Sequence, residues 1–362
     1  MTEPTTGPTT DRTGDPAAMI EFDRVSIVFG GSPATALPLM DRGQSRSEIQ
    51  KATGQVLGVH DCTLTVNRGE ISVLMGLSGS GKSTLLRAVN GLNPVARGAV
   101  SVRGTDGRVV DVASCGEESL RALRRGSVSM VFQQFALLPW RTVVENVALG
   151  LELAGEPKEK RLAKAREVLA TVNLQDWAEK KVSELSGGMQ QRVGLARAFA
   201  TDAEILLMDE PFSALDPLIR NRLQDELLQL QEKMHATILF VSHDLEEAVK
   251  LGNTISIMEG GRIVQSGRPE DIVLKPANGY VADFVAHLNP LSVLTASDAM
   301  VSDPGPGDPA RMLAPGAPLR DALPMFAASD APVWVGEDGA TQGRISPRAV
   351  CAMLAKTAAA AA

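Results

Sequence analysis

Gly76-Leu77-Ser78-Gly79-Ser80-Gly81-Lys82-Ser83-Thr84 is the stretch on which the fold turns. It satisfies G-x-x-x-x-G-K-[ST], and its flanks supply the context that this pattern requires. Before it, Glu70-Ile71-Ser72-Val73-Leu74-Met75 reads as a short buried strand. After it, Leu85-Leu86-Arg87-Ala88-Val89 continues as a helix that stops at Asn90-Gly91. Strand, glycine loop and helix are the parts of a phosphate cradle. Glycines let successive N–H groups turn inward with no Cβ in the way, and a helix N-terminus adds partial positive charge. The expected lining is Gly76, Ser78, Gly79, Ser80, Gly81, Lys82, Ser83 and Thr84. Lys82 would reach the β- and γ-phosphates, and the Ser83 hydroxyl would ligate Mg²⁺. A flexible Gly/Ser linker is the competing reading, but linkers rarely join a buried strand to an apolar helix through Lys-Ser.

The remaining composition narrows the field. At 362 residues the chain can hold one large α/β domain with an appendage, or two medium domains. A net charge of −7, from 36 basic and 43 acidic residues, disfavours nucleic acid as the main ligand. Cys62, Cys115 and Cys351 are scattered without a C-x-x-C pair, which argues against a zinc or disulfide framework and suits a reducing cytosol. No apolar run approaches the ~20 residues of a spanning helix, and no basic-then-apolar leader opens the chain. Any link to a membrane is therefore expected to run through a partner protein.

Along the chain, residues 1–18 are rich in Pro, Thr, Gly and Asp and are expected to be disordered. Ile20 to Phe29 alternates as a first strand. Residues 30–56 look like an insertion, in which the capping box Ser45-Arg46-Ser47-Glu48 and the stop at Gly54 predict a helix over 46–53. Val59 to Val66 alternates again, and Val100 to Val112 reads as a hairpin broken at Gly104-Thr105-Asp106-Gly107. The pattern from about 142 to 180 is helical, with a charged face over Lys158–Glu167 that reads as a solvated surface. Strand-like runs at 204–208, 237–241 and 254–258 then alternate with helices at 186–200, 217–234 and 244–251. That alternation predicts a mainly parallel sheet covered on both faces.

Two further stretches carry chemistry. Ile205-Leu206-Leu207-Met208-Asp209-Glu210 is an apolar strand ending in two carboxylates. Asp209 is expected to hold Mg²⁺ beside the phosphate loop, and Glu210 to accept a proton from the attacking water. A plain strand end meeting solvent is the alternative. Leu185-Ser186-Gly187-Gly188-Met189-Gln190 opens a helix with bare N–H groups, a second anion cradle. One chain with one phosphate loop has no use for a second cradle. Two chains packed head to tail do, since each can close over the other's γ-phosphate.

With these residues in hand, the chain resembles the nucleotide-binding subunit of an ATP-binding cassette (ABC) transporter, over roughly residues 20–285. The family's signature matches Leu185–Gln190 and its D-loop matches Ser213-Ala214-Leu215-Asp216. Its Q-loop glutamine matches Gln133 and its switch histidine matches His243. The resemblance implies a P-loop NTPase with an α/β core of RecA type, an antiparallel β subdomain and a helical subdomain. It implies ATP and Mg²⁺ as ligands, with Gln133 sensing the metal and the water, and His243 touching the γ-phosphate. Ser186, Gly187, Gly188 and Gln190 would cap the nucleotide held by a second copy. Phe29 would stack on adenine, with a core phenylalanine as the competing reading. The implied partners are that second copy, an integral membrane permease and, indirectly, a substrate-binding protein, at the cytoplasmic face of the cell membrane.

The insertion, the loop phrase Met75–Thr84 and a tail after the cassette are similar to ATPases of quaternary-amine importers, and the insertion together with Val56–Cys62 to their choline branch ahead of glycine betaine. The implied domains are an ABC domain over 19–288, a linker over 289–318, a small degenerate CBS-like region over 319–355 and a tail over 356–362. In Leu137-Leu138-Pro139-Trp140-Arg141 we read a groove for a helix of the membrane subunit, against local packing. Alternatives are a soluble ABC ATPase acting on ribosomes or DNA, an importer of another solute, and a P-loop kinase or GTPase. The single cassette, the lack of a heptad run and the lack of Asn-Lys-x-Asp weigh against the first and third.

Overall fold

The computed structural model describes residues 18–133, 136–213, 215–302, 308–337 and 340–360. The disorder expected for the N-terminus, and Ala214 of the D-loop, fall outside the described residues. The chain forms two compact units, Met1–His243 with Met258–Ile263, and Asp244–Ile257 with Val264–Ala362.

The first unit begins with β1 (Ala18–Phe29), two short helices α1 (Leu37–Asp41) and α2 (Arg46–Thr53), β2 (Val56–Asn67) and β3 (Ile71–Met75). The phosphate loop follows β3 and enters α3 (Lys82–Leu86). Next come β4 (Arg97–Arg103), β5 (Val109–Asp111), α4 (Glu117–Gly126) and β6 (Val128–Val131). Three helices follow, α5 (Val143–Val147), α6 (Leu149–Leu153) and α7 (Lys158–Thr171), then α8 (Gly187–Phe199), β7 (Ile205–Asp209), α9 (Pro217–Met234) and β8 (Thr237–Val241). The unit also includes the tip, Met258–Ile263, of the hairpin formed by β9 (Thr254–Glu259) and β10 (Arg262–Gly267).

Every residue of β3, β7 and β8 is buried, as strands covered on both faces must be. Their order is β3-β8-β7-β6, all parallel, with Leu74 opposite Val241 and Asp209 opposite Val241. This register brings the C-terminal ends of β3, β7 and β8 side by side. Gly76, Glu210 and His243 leave the sheet at that edge, where open α/β sheets bind ligands. A second, antiparallel sheet runs β2-β1-β4-β5. Met19, Ile20, Phe22, Val59 and Val100 of that sheet share one core with Leu74, Leu207, Leu239 and Val241 of the parallel one.

The insertion is a structure of its own. Ser45 and Glu48 form the expected capping box, Gly54 closes α2 at φ +70°, and the helix spans the expected residues. Ala36, Met40 and Ile49 bury against Val28 and Leu57, a satellite core that seats the insertion on β1 and β2. The helical stretch expected over 142–180 is divided. Gly155 at φ +86° and Pro157 end one helix and open the next, because neither continues an α-helix.

The second unit holds α10 (Leu245–Leu251), the stem of the hairpin, α11 (Pro269–Leu274), α12 (Gly279–Val285), α13 (Ala296–Ala299), β11 (Val301–Ser302) and β12 (Met312–Leu313). α14 (Leu323–Ala328), β13 (Val333–Glu337), β14 (Ala340–Ile345) and α15 (Pro347–Ala360) follow. Its sheet runs β11-β14-β13-β12, with β12 parallel to β13. Leu319, Val335, Ile345 and Val350 form its core together with Leu294, Ala296 and Ala299, three residues from the stretch 289–318 expected as a linker.

Candidate nucleotide site

The phosphate loop is shaped by crowding. Gly76 has φ +138°, and a Cβ there would collide with the Met258 carbonyl and lie 2.8 Å from Ser80 Oγ. Gly81 has φ +105°, and its Cβ would meet the Gly58 carbonyl oxygen at 2.7 Å. Neither position tolerates a side chain. Gly79, at φ +79°, faces open space. Inside this turn Lys82 is 5% exposed, its ammonium donating to the carbonyls of Gly76 at 2.8 Å and Leu77 at 3.1 Å. Burial pulls its pKa down, while the carboxylates of Glu210 and Asp209 oppose that shift. Ser80 Oγ is buried without a hydrogen-bond partner. An orphaned hydroxyl beside a caged ammonium fits a phosphate, which would supply the missing acceptor and countercharge.

β7 delivers Asp209, 1% exposed, next to the first turn of α3. Ser83 Oγ donates to Asp209 Oδ1 at 2.6 Å, and Arg87 donates to Oδ2 through Nε at 3.1 Å and Nη2 at 2.7 Å. The hydroxyl and carboxylate at hydrogen-bond distance form a hard oxygen pair of the kind Mg²⁺ takes with nucleotide phosphates. Among the described residues no group of three or more His, Cys, Asp or Glu could hold a metal ion, so the protein's offer here is the Ser83–Asp209 pair.

Glu210 follows at φ +47°, a left-handed conformation uncommon for a residue with a side chain. Its amide donates to the Val241 carbonyl at 3.1 Å, which fixes the turn and aims the carboxylate out of the sheet edge. Two side chains meet the same oxygen. Gln133 Nε2 donates to Glu210 Oε2 at 3.4 Å, and His243 Nδ1 lies 3.2 Å from it. Gln133 comes from the end of β6, Glu210 from β7 and His243 from β8, so strand order produces this convergence.

Phe29 ends β1 partly exposed, and a Cβ on Gly58 would lie 2.8 Å from its ring and 3.1 Å from Thr84 Cγ2. The ring thus stands beside the phosphate loop, outside the main core. Ser186 caps α8, accepting from Met189 N at 3.4 Å, and both Ser186 and Gly187 are exposed. Gln190 turns its amide back to the carbonyls of Val182 and Leu185. Among the described residues no hydrogen bond joins this turn to Lys82, Ser83, Asp209 or Glu210.

The residues missed by sequence reasoning act across the fold. Arg87 clamps Asp209. The buried Gln191 donates to the Pro211 carbonyl, tying α8 to the turn after Glu210. Their partners lie 122 and 20 residues away, and no local pattern announces either.

Comparison with known proteins follows the same line. The family described as "ABC transporter" matches residues 59–213. The glycine betaine/proline betaine transport system ATP-binding protein ProV of Escherichia coli (strain K12) is 48% identical over 282 residues, 78% of this chain and 69% of its own length. The chain belongs to the ABC transporter ATP-binding proteins of betaine type. The glycine betaine/carnitine transport ATP-binding protein GbuA of Listeria monocytogenes serotype 1/2a (strain 10403S) is 47% identical over 282 residues, 78% of this chain and 70% of its own. A solved structure, the dimeric post-hydrolysis state of the ATP-binding cassette MJ0796 bound to ADP and Pi, is 29% identical with a TM-score of 0.58. It covers 69% of this chain and 99% of its own. As a member of the family, the betaine-type cassette binds and hydrolyses ATP. No helix among its described residues is long and apolar enough to cross a membrane.

Proposed function

We propose that the cassette hydrolyses ATP between two copies of itself and thereby powers uptake of a quaternary amine through a membrane permease fed by a substrate-binding protein. The proposed catalytic unit has an ABC domain over 19–288 as its body. Lys82 and the loop amides of Gly76–Thr84 hold the β- and γ-phosphates, with Phe29 against the adenine. Ser83 and Asp209 would hold Mg²⁺, which offsets charge developing on the phosphates. Glu210 accepts the proton of the water that attacks the γ-phosphorus, and the bond to the β-phosphate oxygen breaks to leave ADP and phosphate. His243 and Gln133, both on Glu210 Oε2, orient that carboxylate toward the water. The Ser186-Gly187-Gly188 turn of the other copy closes the site. The observation that carries the reading is this convergence on a single oxygen from three adjacent strand ends. It gives a base two orienting partners at the edge where the phosphate cradle opens.

Glycine betaine comes first among the solutes, because both named relatives transport it. Choline follows; the insertion and Val56–Cys62, which carry that resemblance, hold α1, α2 and the first part of β2, which pairs with β1. The peripheral position at the cytoplasmic face rests on the same relatives. Reconstitution with the permease and binding protein in vesicles tests the assignment: glycine betaine should raise ATP hydrolysis and accumulate. Stimulation by choline alone reverses the order, and stimulation by neither sinks the solute class.

A further inference from the structure

The insertion reaches the phosphate loop through one side chain. Arg46 is the first residue of α2, seated by the Ser45–Glu48 capping box in which Ser45 N donates to Glu48 Oε2 at 2.7 Å. Its Nη1 donates to the Gly79 carbonyl at 2.8 Å, and its Nη2 to the Gly58 carbonyl on β2. At the hairpin tip Gly261 leaves it room: a Cβ there would lie 2.5 Å from Arg46 Nη2 and 3.2 Å from Cζ. The buried Nε has no hydrogen-bond partner, so the two terminal nitrogens alone define the seat.

We infer that Arg46 is a positioning residue for nucleotide binding, bracing the phosphate loop from outside so that its amides are set before ATP arrives. A peptide group is planar, so its direction is fixed by whatever holds its two ends. The Gly79–Ser80 peptide is held at both: its carbonyl by Arg46, and its amide by the Leu77 carbonyl at 3.1 Å. Without Arg46 the outer half of this support is gone, in a loop whose glycines have the most freedom to lose on ordering. A loop ordered only on binding binds more weakly, while chemistry in the assembled site is unchanged. The guanidinium fork spans carbonyls on two different segments, a geometry that a lysine ammonium reproduces only in part.

This inference rests on the phosphate-loop reading of Gly76–Thr84, and the experiment separates the two. Full-length wild type, K82A, R46A, R46K and E48A are compared by titrating Mg-ATP in hydrolysis and a fluorescent ATP analogue in binding. The half-saturating ATP concentration should rise on the order of tenfold in R46A, with kcat within about twofold and an unchanged melting temperature. R46K should fall between the two. E48A, which removes only an exposed capping partner, should move the same way by a smaller factor. Unchanged half-saturation in R46A, or loss of kcat and melting temperature together, overturns the positioning role. Wild-type binding and turnover in K82A would instead overturn the phosphate-loop reading itself.

Discussion

Two of the glycine-bearing helix starts in the first unit, those of α3 and α8, are opposites. Before α3, Gly76 and Gly81 are glycine because their own chain crowds them, and Lys82, directly after Gly81, is buried. At the start of α8, Gly187 has ordinary helical geometry, and beyond its chain neighbours and its own helix's backbone no described atom lies within 4 Å of where a Cβ would sit. Gly188 would meet only Ile219 Cγ2, at 3.1 Å. A helical glycine is less stable than alanine by roughly 0.5–1 kcal/mol, and the chain around Gly187 offers no steric compensation. The first turn is complete within one chain. The second is an open surface, and the proposed function places the nucleotide of a second copy against it.

The largest effect, on nucleotide binding and turnover together, falls on the closed turn. Lys82→Ala removes the ammonium from the two carbonyls it now serves and from the expected phosphates. Hydrolysis should fall on the order of 10²–10³-fold, with loss of nucleotide binding in a titration. A melting temperature near that of the wild type would show that the lysine serves the ligand ahead of the fold. Next is Glu210→Gln, which keeps the turn and the Gln133 contact but removes the base. Turnover should drop by about 10²–10⁴-fold, and ATP should convert the protein to a stable dimer in size-exclusion chromatography. Wild-type turnover with a monomer at saturating ATP would refute both the base and the sandwich.

Gly187→Ala tests the open turn directly. Within one chain the new methyl finds empty space, so the melting temperature should hold or rise slightly, and fluorescent ATP should bind the monomer as before. Hydrolysis should nonetheless fall about tenfold, because the methyl would stand where the second copy's phosphate is expected. Unaltered hydrolysis would mean that this surface meets nothing.

The same contrast explains what was legible in the sequence. The loop, the strand ending in Asp209-Glu210 and the capped helix α2 are local patterns, each set by neighbours within a few residues, and they could be read directly. Arg87 on Asp209, Gln191 on Pro211 and Arg46 on Gly79 are pairings across the fold. An arginine on an amphipathic stretch looks the same whether it faces water or a carboxylate, so only the register of strands and helices identifies them. Proline content suggests a linker over 289–318, whereas the buried Leu294, Ala296 and Ala299 within it belong to an apolar pattern too short to weigh against that texture.

The smallest effect on hydrolysis, and the finest division between closed and open surfaces, lies at Trp140. Local packing would bury its indole in the helical subdomain, yet the residue is 68% exposed. It is tied to that subdomain through its backbone, where Lys181 Nζ donates to the Trp140 carbonyl at 2.8 Å. Leu138, half-buried two residues before it, has its backbone pinned by the Asn146 side chain at 2.7 and 3.1 Å, so the turn that carries the indole is anchored. An anchored turn that presents an unburied aromatic is the form of an anchor for a partner's helix. Trp140→Ala should therefore leave ATP hydrolysis of the isolated cassette within about twofold and its stability within about 0.5 kcal/mol, while solute uptake by the complex with the permease is lost. If hydrolysis and melting temperature fall together in the isolated chain, the indole belongs to the fold and the partner's helix seats elsewhere.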